Sequence, residues 1–236
     1  MDATDLARSP GAARSVRAPR LVLASASPRR RELMALTGWT VEPRPADVDE
    51  TPQVGEEAHA ATRRLAQAKA HAAQSVSPHA DIVLAADTIV VDHGQILGKP
   101  SSEDEARLML RRLRGRPHTV VTSITVLTPD GSSLTDQCIT DVPMRDYTDD
   151  EIEQFIASGA AHDKAGAYAI QDAGFQPVES ASLRGCFANV MGLPLCHVVR
   201  TLRRLGIEPP EDVPQACQTH TGYECPVYEG ILRGDA

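Results

Sequence analysis

"LVLASASPRRRELMALTG", residues 21–38, is the stretch that decides the fold class. Leu21, Val22 and Leu23 read as part of a short buried strand over 20–25. Leu33, Met34 and Leu36 read as the apolar face of a helix over 28–37, with Gly38 at its end. Between them Ser27 is suited to cap the helix and Pro28 to its first turn. A strand that turns directly into a capped helix is a building unit of α/β folds. It also leaves backbone N–H groups free at the helix start, where the positive end of the helix dipole favours phosphate or carboxylate. Ser25 and Ser27 add hydroxyl donors there, and Arg29 and Arg30 add forked, permanently charged donors. The plainer reading of the same residues is an ordinary capped helix with surface arginines.

Working outward, strand and helix signals alternate. Residues 55–74, rich in alanine and charge, read as a helix. "DIVLAADTIVV", 81–91, is a strong buried strand, and "DHGQ", 92–95, a tight turn into "ILGKP". Residues 101–115 form a helix with an N-cap serine, acids in its first turn and arginines in its last. "HTVVTSITVLT" and "SLTDQCITDVPM" flank "PDGS" as two long antiparallel strands. Thr148 and Glu151 stand at capping-box spacing in a helix over 148–159. "AYAI", 167–170, reads as a short strand and 194–206 as a helix opened by Pro194. "IEPPEDVP" then reads as a linker, followed by loosely ordered residues to the end. The pattern predicts an α/β fold with a mixed sheet in two lobes and a cleft between them, over 20–206, flanked by a tail at 1–19 and a linker and tail at 207–236.

The chain has 236 residues, 42% of them hydrophobic, which is enough for a real core. Aromatic residues are only 3%, so aliphatic and alanine packing must fill it. A net charge of −8 argues against broad nucleic-acid binding, which needs a basic face, so any bound anion must meet a local positive site. No apolar run reaches the length of a membrane span, and residues 1–19 contain no signal-peptide core. The expectation is a cytoplasmic protein without a membrane or nucleic-acid partner. The 5 cysteines, odd in number and widely spaced, suit reduced thiols. Cys217, His220 and Cys225 fall in one short stretch, with Cys196 and His197 as possible neighbours. No paired C-x-x-C is present, and a flexible tail with free thiols is the preferred reading over a zinc site.

Four blocks occur in order: "LASASPRRRELMALTG", "AADTIVVDHGQILGKP", "HDKAGAYAIQ" and "FANVMGLPL". Together they resemble the Maf family of nucleoside triphosphate pyrophosphatases over about residues 20–206. The resemblance implies a two-lobed, inosine triphosphatase-like fold around a nucleotide cleft. It implies hydrolysis of a nucleoside triphosphate to monophosphate and pyrophosphate with a divalent metal, Mg or Mn. It assigns Ser25, Arg29 and Arg30 to a phosphate-binding turn, with Lys69 and Lys99 as further phosphate contacts. Asp87 becomes the catalytic acid and Gln171 a base-selecting glutamine. Arg29, Thr88 and Gln171 together resemble members that prefer dTTP and UTP. A homodimer is compatible with the family.

The chemistry of these residues agrees with those roles. Asp87 is expected where the buried strand "IVLAA" ends, and strand ends in open α/β sheets are where ligands bind. An aspartate there suits either activation of a water or a place on magnesium, and both roles stay open. Lys99, between Gly98 and Pro100, is a compact charge on a rigid turn. A glutamine amide such as that of Gln171 offers a donor and acceptors to a pyrimidine edge. Glu50, among Asp47 and Asp49, is a candidate second metal ligand in what otherwise reads as a solvated acidic loop. The chain departs from the family at Asp172, which stands where glycine is usual and would repel phosphate if it faced the ligand. Ala169, Cys186 and Phe187 depart as well. The competing functions are a non-catalytic nucleotide-binding regulator of cell division, and the same hydrolysis of methylated guanine nucleotides.

Overall fold

The computed structural model describes residues 19–51 and 53–235. The expected tail at 1–19 lies, but for its last residue, outside them. Strand β1 (Leu21–Leu23) lies parallel to β2 (Val41–Pro43) on one side and to β3 (Ile82–Asp92) on the other. β3 also pairs antiparallel with β4 (Gln95–Leu97) and β5 (Pro117–Leu127), and β5 with β6 (Ser133–Pro143). The result is a six-stranded mixed sheet of order β2-β1-β3-β5-β6, with β4 beside β3. The helices are α1 (Pro28–Ala35), α2 (Ala58–Ser75), α3 (Glu103–Leu113), α4 (Asp149–Ala157), α5 (Phe187–Met191), α6 (Leu195–Arg203), α7 (Val213–Thr221) and α8 (Tyr228–Arg233).

Side chains along a strand alternate between faces, and β3 uses both. Val83 and Ala85 pack with Val22, Ala24 and Leu127 against Ala70 and Ala73 of α2. Leu84 and Ala86 join the main core on the opposite face with Leu33, Leu195, Val198 and Leu202. Burial on both faces explains why this strand reads as an unbroken apolar run. The alanines of α2 replace the missing aromatics: Ala61, Ala66, Ala70 and Ala73 let a helix lie close against the sheet.

β3 also divides the molecule. Its residues Ile82–Leu84 pair with β1, and Val90–Asp92 pair with β4. Between these two registers the same edge of β3 has no strand beside it among the described residues, while β5 continues along the other edge. The sheet therefore forks at Asp87 and Thr88, which lie inside β3: Asp87 is not at a strand end as expected, because the ladder with β5 carries the strand on to Asp92. One lobe carries β1, β2 and α1; the other carries β4, α3 and the chain leading to Gln171. The turn from β3 to β4 needs left-handed backbone at His93 (φ 47°) and Gly94 (φ 75°), as a two-residue hairpin requires.

Several expectations need correction. "AYAI" is not a strand: a short 3-10 turn covers Ala165–Ala167, and Gly166 (φ 69°) and Ala167 (φ 63°) are left-handed. Two such residues in succession break extended pairing. The final residues are not loosely ordered either. Asp212 caps α7 by accepting from Gln215 N–H, with Pro214 in the first turn. Val213 and Ile231 are buried, and Tyr223 hydrogen-bonds the carbonyls of Leu183 and Gly185. The helix expected over 55–74 starts only at Ala58, because Gly55 is left-handed (φ 74°). The short helix α5 inside "FANVMG" had no sequence signal strong enough to reveal it.

Candidate active site

Ser25 to Arg30 run from the end of β1 into α1. Ser27 caps the helix, its Oγ accepting from Arg30 N–H at 3.4 Å, and Ser25 Oγ accepts from Ser27 N–H at 3.2 Å. Both hydroxyls thus use a lone pair within the turn and keep an O–H to donate. Arg29 and Lys99 make no hydrogen bond or ion pair among the described residues, and both line the cleft.

Arg30 is placed differently. Its Nε donates to Gly192 O (2.8 Å), Nη1 to Ala86 O (2.7 Å) and Nη2 to Thr88 Oγ1 (3.0 Å). The carbonyl of Ala86 lies where β3 has no neighbouring strand, so the guanidinium supplies the bond that the sheet does not. It joins α1, β3 and the end of α5 at the fork. Two of its N–H donors remain for another acceptor.

The floor of the cleft is a buried charge cluster. Lys69 on α2 and Asp87 on β3 are only 9% and 8% exposed at their side chains, with Nζ 2.6 Å from Oδ1. Glu50 Oε1 lies 2.6 Å from the same Nζ, while its side chain is 54% exposed. Burial raises the Asp87 carboxyl above its ordinary value, against the pull of Lys69 and Arg30. Burial also pushes Glu50 upward, but its bond to Lys69, with Lys99 and Arg30 nearby, leaves it below the usual range. Neighbouring cations therefore win at the exposed acid and desolvation wins at the buried one.

Ser25, Arg29, Arg30, Glu50, Lys69, Asp87, Thr88, Lys99 and Gln171, all singled out from sequence, line one cleft of about 420 Å³. Asp172 does not line it. Its Oδ1 accepts from Gly174 N–H (2.9 Å) and Phe175 N–H (3.0 Å), so the carboxylate closes its own turn. Residues that sequence reasoning passed over are Asp163, Tyr168 and Gly192, which also line the cleft. "HDKAG" contained Asp163 in plain view. Tyr168 needed the fold, because its hydroxyl is held by His118 Nε2 (2.7 Å) from a distant strand. Among the described residues no group of three or more His, Cys, Asp and Glu side chains is placed to hold a metal, and this includes the cysteine-rich tail.

Comparison with known proteins adds a further finding. A family described as Maf-like protein matches residues 20–205. The chain is 46% identical to a dTTP/UTP pyrophosphatase of Anaeromyxobacter dehalogenans over 84% of its own length and 100% of that protein. It is 44% identical to a dTTP/UTP pyrophosphatase of Thermomicrobium roseum, over 88% and 93% of the two chains. Among solved structures it is similar to the Staphylococcus aureus Ham1 protein at a TM-score of 0.42 and 17% identity, over 67% of this chain and 79% of that one. A match that spans both lobes and the whole cleft leaves one conclusion: the chain belongs to the Maf-like protein family.

Proposed function

We propose that this chain hydrolyses dTTP and UTP to the nucleoside monophosphate and pyrophosphate, and so acts on the nucleotide pool. The relatives that carry this name support it, and one observation supports it most from within the chain. A carboxylate, Asp87, is buried among the cations of an anion-binding cleft. A protein that merely held an anion would gain nothing from a negative charge there.

The reaction follows from the placement. Arg29, Lys99 and the Ser25 and Ser27 hydroxyls hold the triphosphate oxygens by charge-assisted bonds. Arg30 contributes its charge and its two remaining donors while it keeps the lobes in register. Lys69 opposes the effect of burial on Asp87 and favours its ionised form. Asp87 accepts a proton from a water, whose oxygen attacks the α-phosphorus. The bond from that phosphorus to the bridging oxygen breaks, and pyrophosphate leaves. A carboxyl raised by burial is a stronger base than an exposed aspartate. Gln171, at the cleft rim, pairs with the edge of the pyrimidine, and Thr88 and Arg29 complete the selection of dTTP and UTP.

A divalent cation, Mg or Mn, fits the donor set. Asp87 and Glu50, the two carboxylates that line the cleft beside Lys69, are the residues that would hold it. Magnesium takes one or two carboxylates and fills its other positions with water and phosphate oxygens. When bound it would supply charge neutralisation at the phosphates and a lower pKa for a coordinated water.

The setting we propose is cytoplasmic, as a homodimer, with no nucleic-acid or membrane partner. Among the described residues no helix is long and apolar enough to cross a membrane. Pyrophosphate release from dTTP, UTP, CTP and methylated GTP, each with and without Mg or Mn, tests the function. Metal-dependent release strongest with dTTP or UTP is expected. Release mainly from methylated GTP would move the base preference. Binding without release would make the chain a nucleotide-binding regulator.

A further inference from the structure

Away from the cleft, Cys186, Cys196, Cys217 and Cys225 line one small cavity of about 10 Å³. Cys186 stands at the N-cap of α5 and Cys196 in the first turn of α6. Cys217 lies on α7 and Cys225 in the loop before α8. Nothing in their spacing pairs them, and the fold alone brings them together. Neither His197 nor His220 lines the cavity; His220 Nε2 instead lies 3.3 Å from Glu32 Oε1 on α1. Backbone N–H groups are aimed at two of the sulfurs: those of Ala188 and Asn189 at Cys186, and those of Val227 and Tyr228 at Cys225. A neutral thiol is a weak acceptor, whereas a thiolate makes full use of such donors. Other bonds hold the two later cysteines in place. Gln218 Oε1 accepts from Cys225 N–H at 2.9 Å, and Thr221 Oγ1 donates to Cys217 O at 2.8 Å.

We propose that Cys186, Cys196, Cys217 and Cys225 bind one structural zinc ion, which fastens the C-terminal helices α7 and α8 to α5 and α6. Four sulfur donors with no carboxylate among them select a soft divalent cation over the Mg or Mn of the cleft. They also complete a tetrahedron and leave no open position, which makes the ion structural rather than catalytic. As free thiols the four are not gathered at metal-ligand distances. Each lines the cavity, however, and rotation about its Cα–Cβ bond moves its sulfur. Burial pushes the thiols of Cys196, Cys217 and Cys225 up, Cys217 to about 12. A divalent cation reverses this, since a coordinating thiol is deprotonated outright, so the site releases its thiol protons as zinc enters. The N–H groups at Cys186 and Cys225 then bond thiolates, as the outer partners of metal ligands do. The place of the site gives it a consequence. The family match stops at residue 205, so Cys217 and Cys225 belong to chain beyond it. Cys186 begins α5, whose closing residue Gly192 holds Arg30 at the fork.

The test uses the full chain without a tag, purified under reducing conditions, supplied with zinc or cobalt and dialysed. Metal analysis should find about one zinc per chain. The cobalt form should show thiolate-to-metal charge transfer in the near ultraviolet and the intense visible bands of a tetrahedral ion. Cys217→Ser and Cys225→Ser should each weaken zinc binding by about tenfold or more. Glu50→Gln, which alters the cleft, and Cys138→Ser, which lies outside the cavity lining, should leave the zinc content unchanged. A parent chain that takes up no zinc, or one whose Cys217 and Cys225 are joined as a disulfide in place of metal, would overturn the site. Zinc retained at full affinity in the two serine variants, or lost in Glu50→Gln alone, would place the ion elsewhere and overturn it as well. If the serine variants do not fold, the cobalt spectrum of the parent decides: without thiolate charge transfer the proposal falls.

Discussion

At the scale of single residues, the cleft turns on which ionisable groups are buried. Asp87→Asn keeps the shape of the site and removes the proton acceptor. It should retain nucleotide affinity and lower kcat by about 10²–10⁴-fold, measured by pyrophosphate release. A parent-like rate would leave Asp87 neither base nor essential metal ligand. Two buried histidines make a separate prediction about stability. Burial lowers His118 and His197 to about 4 each. In the unfolded chain they titrate near 6.5, so between these values the unfolded form binds more protons. Their contribution is fully present above about pH 6.5 and is lost as pH falls through about 4. Denaturant midpoints should fall over that window. His118→Gln, which can still bond the Tyr168 hydroxyl, should remove roughly half of the slope.

At the scale of elements, the fork in the sheet depends on how α5 ends. Gly192 closes that helix with φ 107°, a conformation that other residues rarely adopt, and its carbonyl accepts from Arg30. A Cβ there would lie 3.5 Å from Thr88 Oγ1 and 3.6 Å from Arg30 Nε, so space is adequate and the cost is backbone strain. Gly192→Ala should destabilise by about 1–3 kcal/mol. If the backbone relaxes to relieve that strain, the carbonyl shifts and the hold of Arg30 on β3 weakens. KM should then rise more than the stability loss alone would suggest. An unchanged KM would make Arg30 indifferent to its anchor on α5.

At the scale of the whole molecule, the last two helices belong to the folded body. Truncation after Gly206 removes the buried side chains Val213 and Ile231 and the bond from Arg200 Nη1 to the Ile231 carbonyl. Burial of two such side chains contributes about 3 kcal/mol or more, enough to lower Tm by about 5 °C or more in a thermal melt. An unaltered Tm would show that α7 and α8 fold independently of the rest. The net charge of −8 bears on this scale as well. An acidic surface leaves anion binding to one local cluster, which is where Arg29, Lys69 and Lys99 converge.

Much of this was legible in the sequence, because it depended on near neighbours in the chain. The strand-to-helix turn at Ser25–Arg30, the Thr148 capping box and the β5–β6 hairpin follow from local caps, turns and periodicity. The four ordered blocks also carried the family, and every residue they marked reaches the same cleft. Other features depended on groups far apart in sequence. "AYAI" has strand composition, but left-handed backbone at Gly166 and Ala167 overrides it. The tail reads as polar and short, yet Tyr223, Val213 and Ile231 find partners only once α5 and α6 are in place. Arg30 reads as a free anion ligand because its acceptors at Ala86, Thr88 and Gly192 lie 56 to 162 residues away. Sequence alone thus determined the elements fixed by local caps, turns and periodicity, and the residue types that line the cleft. Tertiary structure decided which charges are paired, because pairing depends on burial and on contacts that close only when the lobes meet.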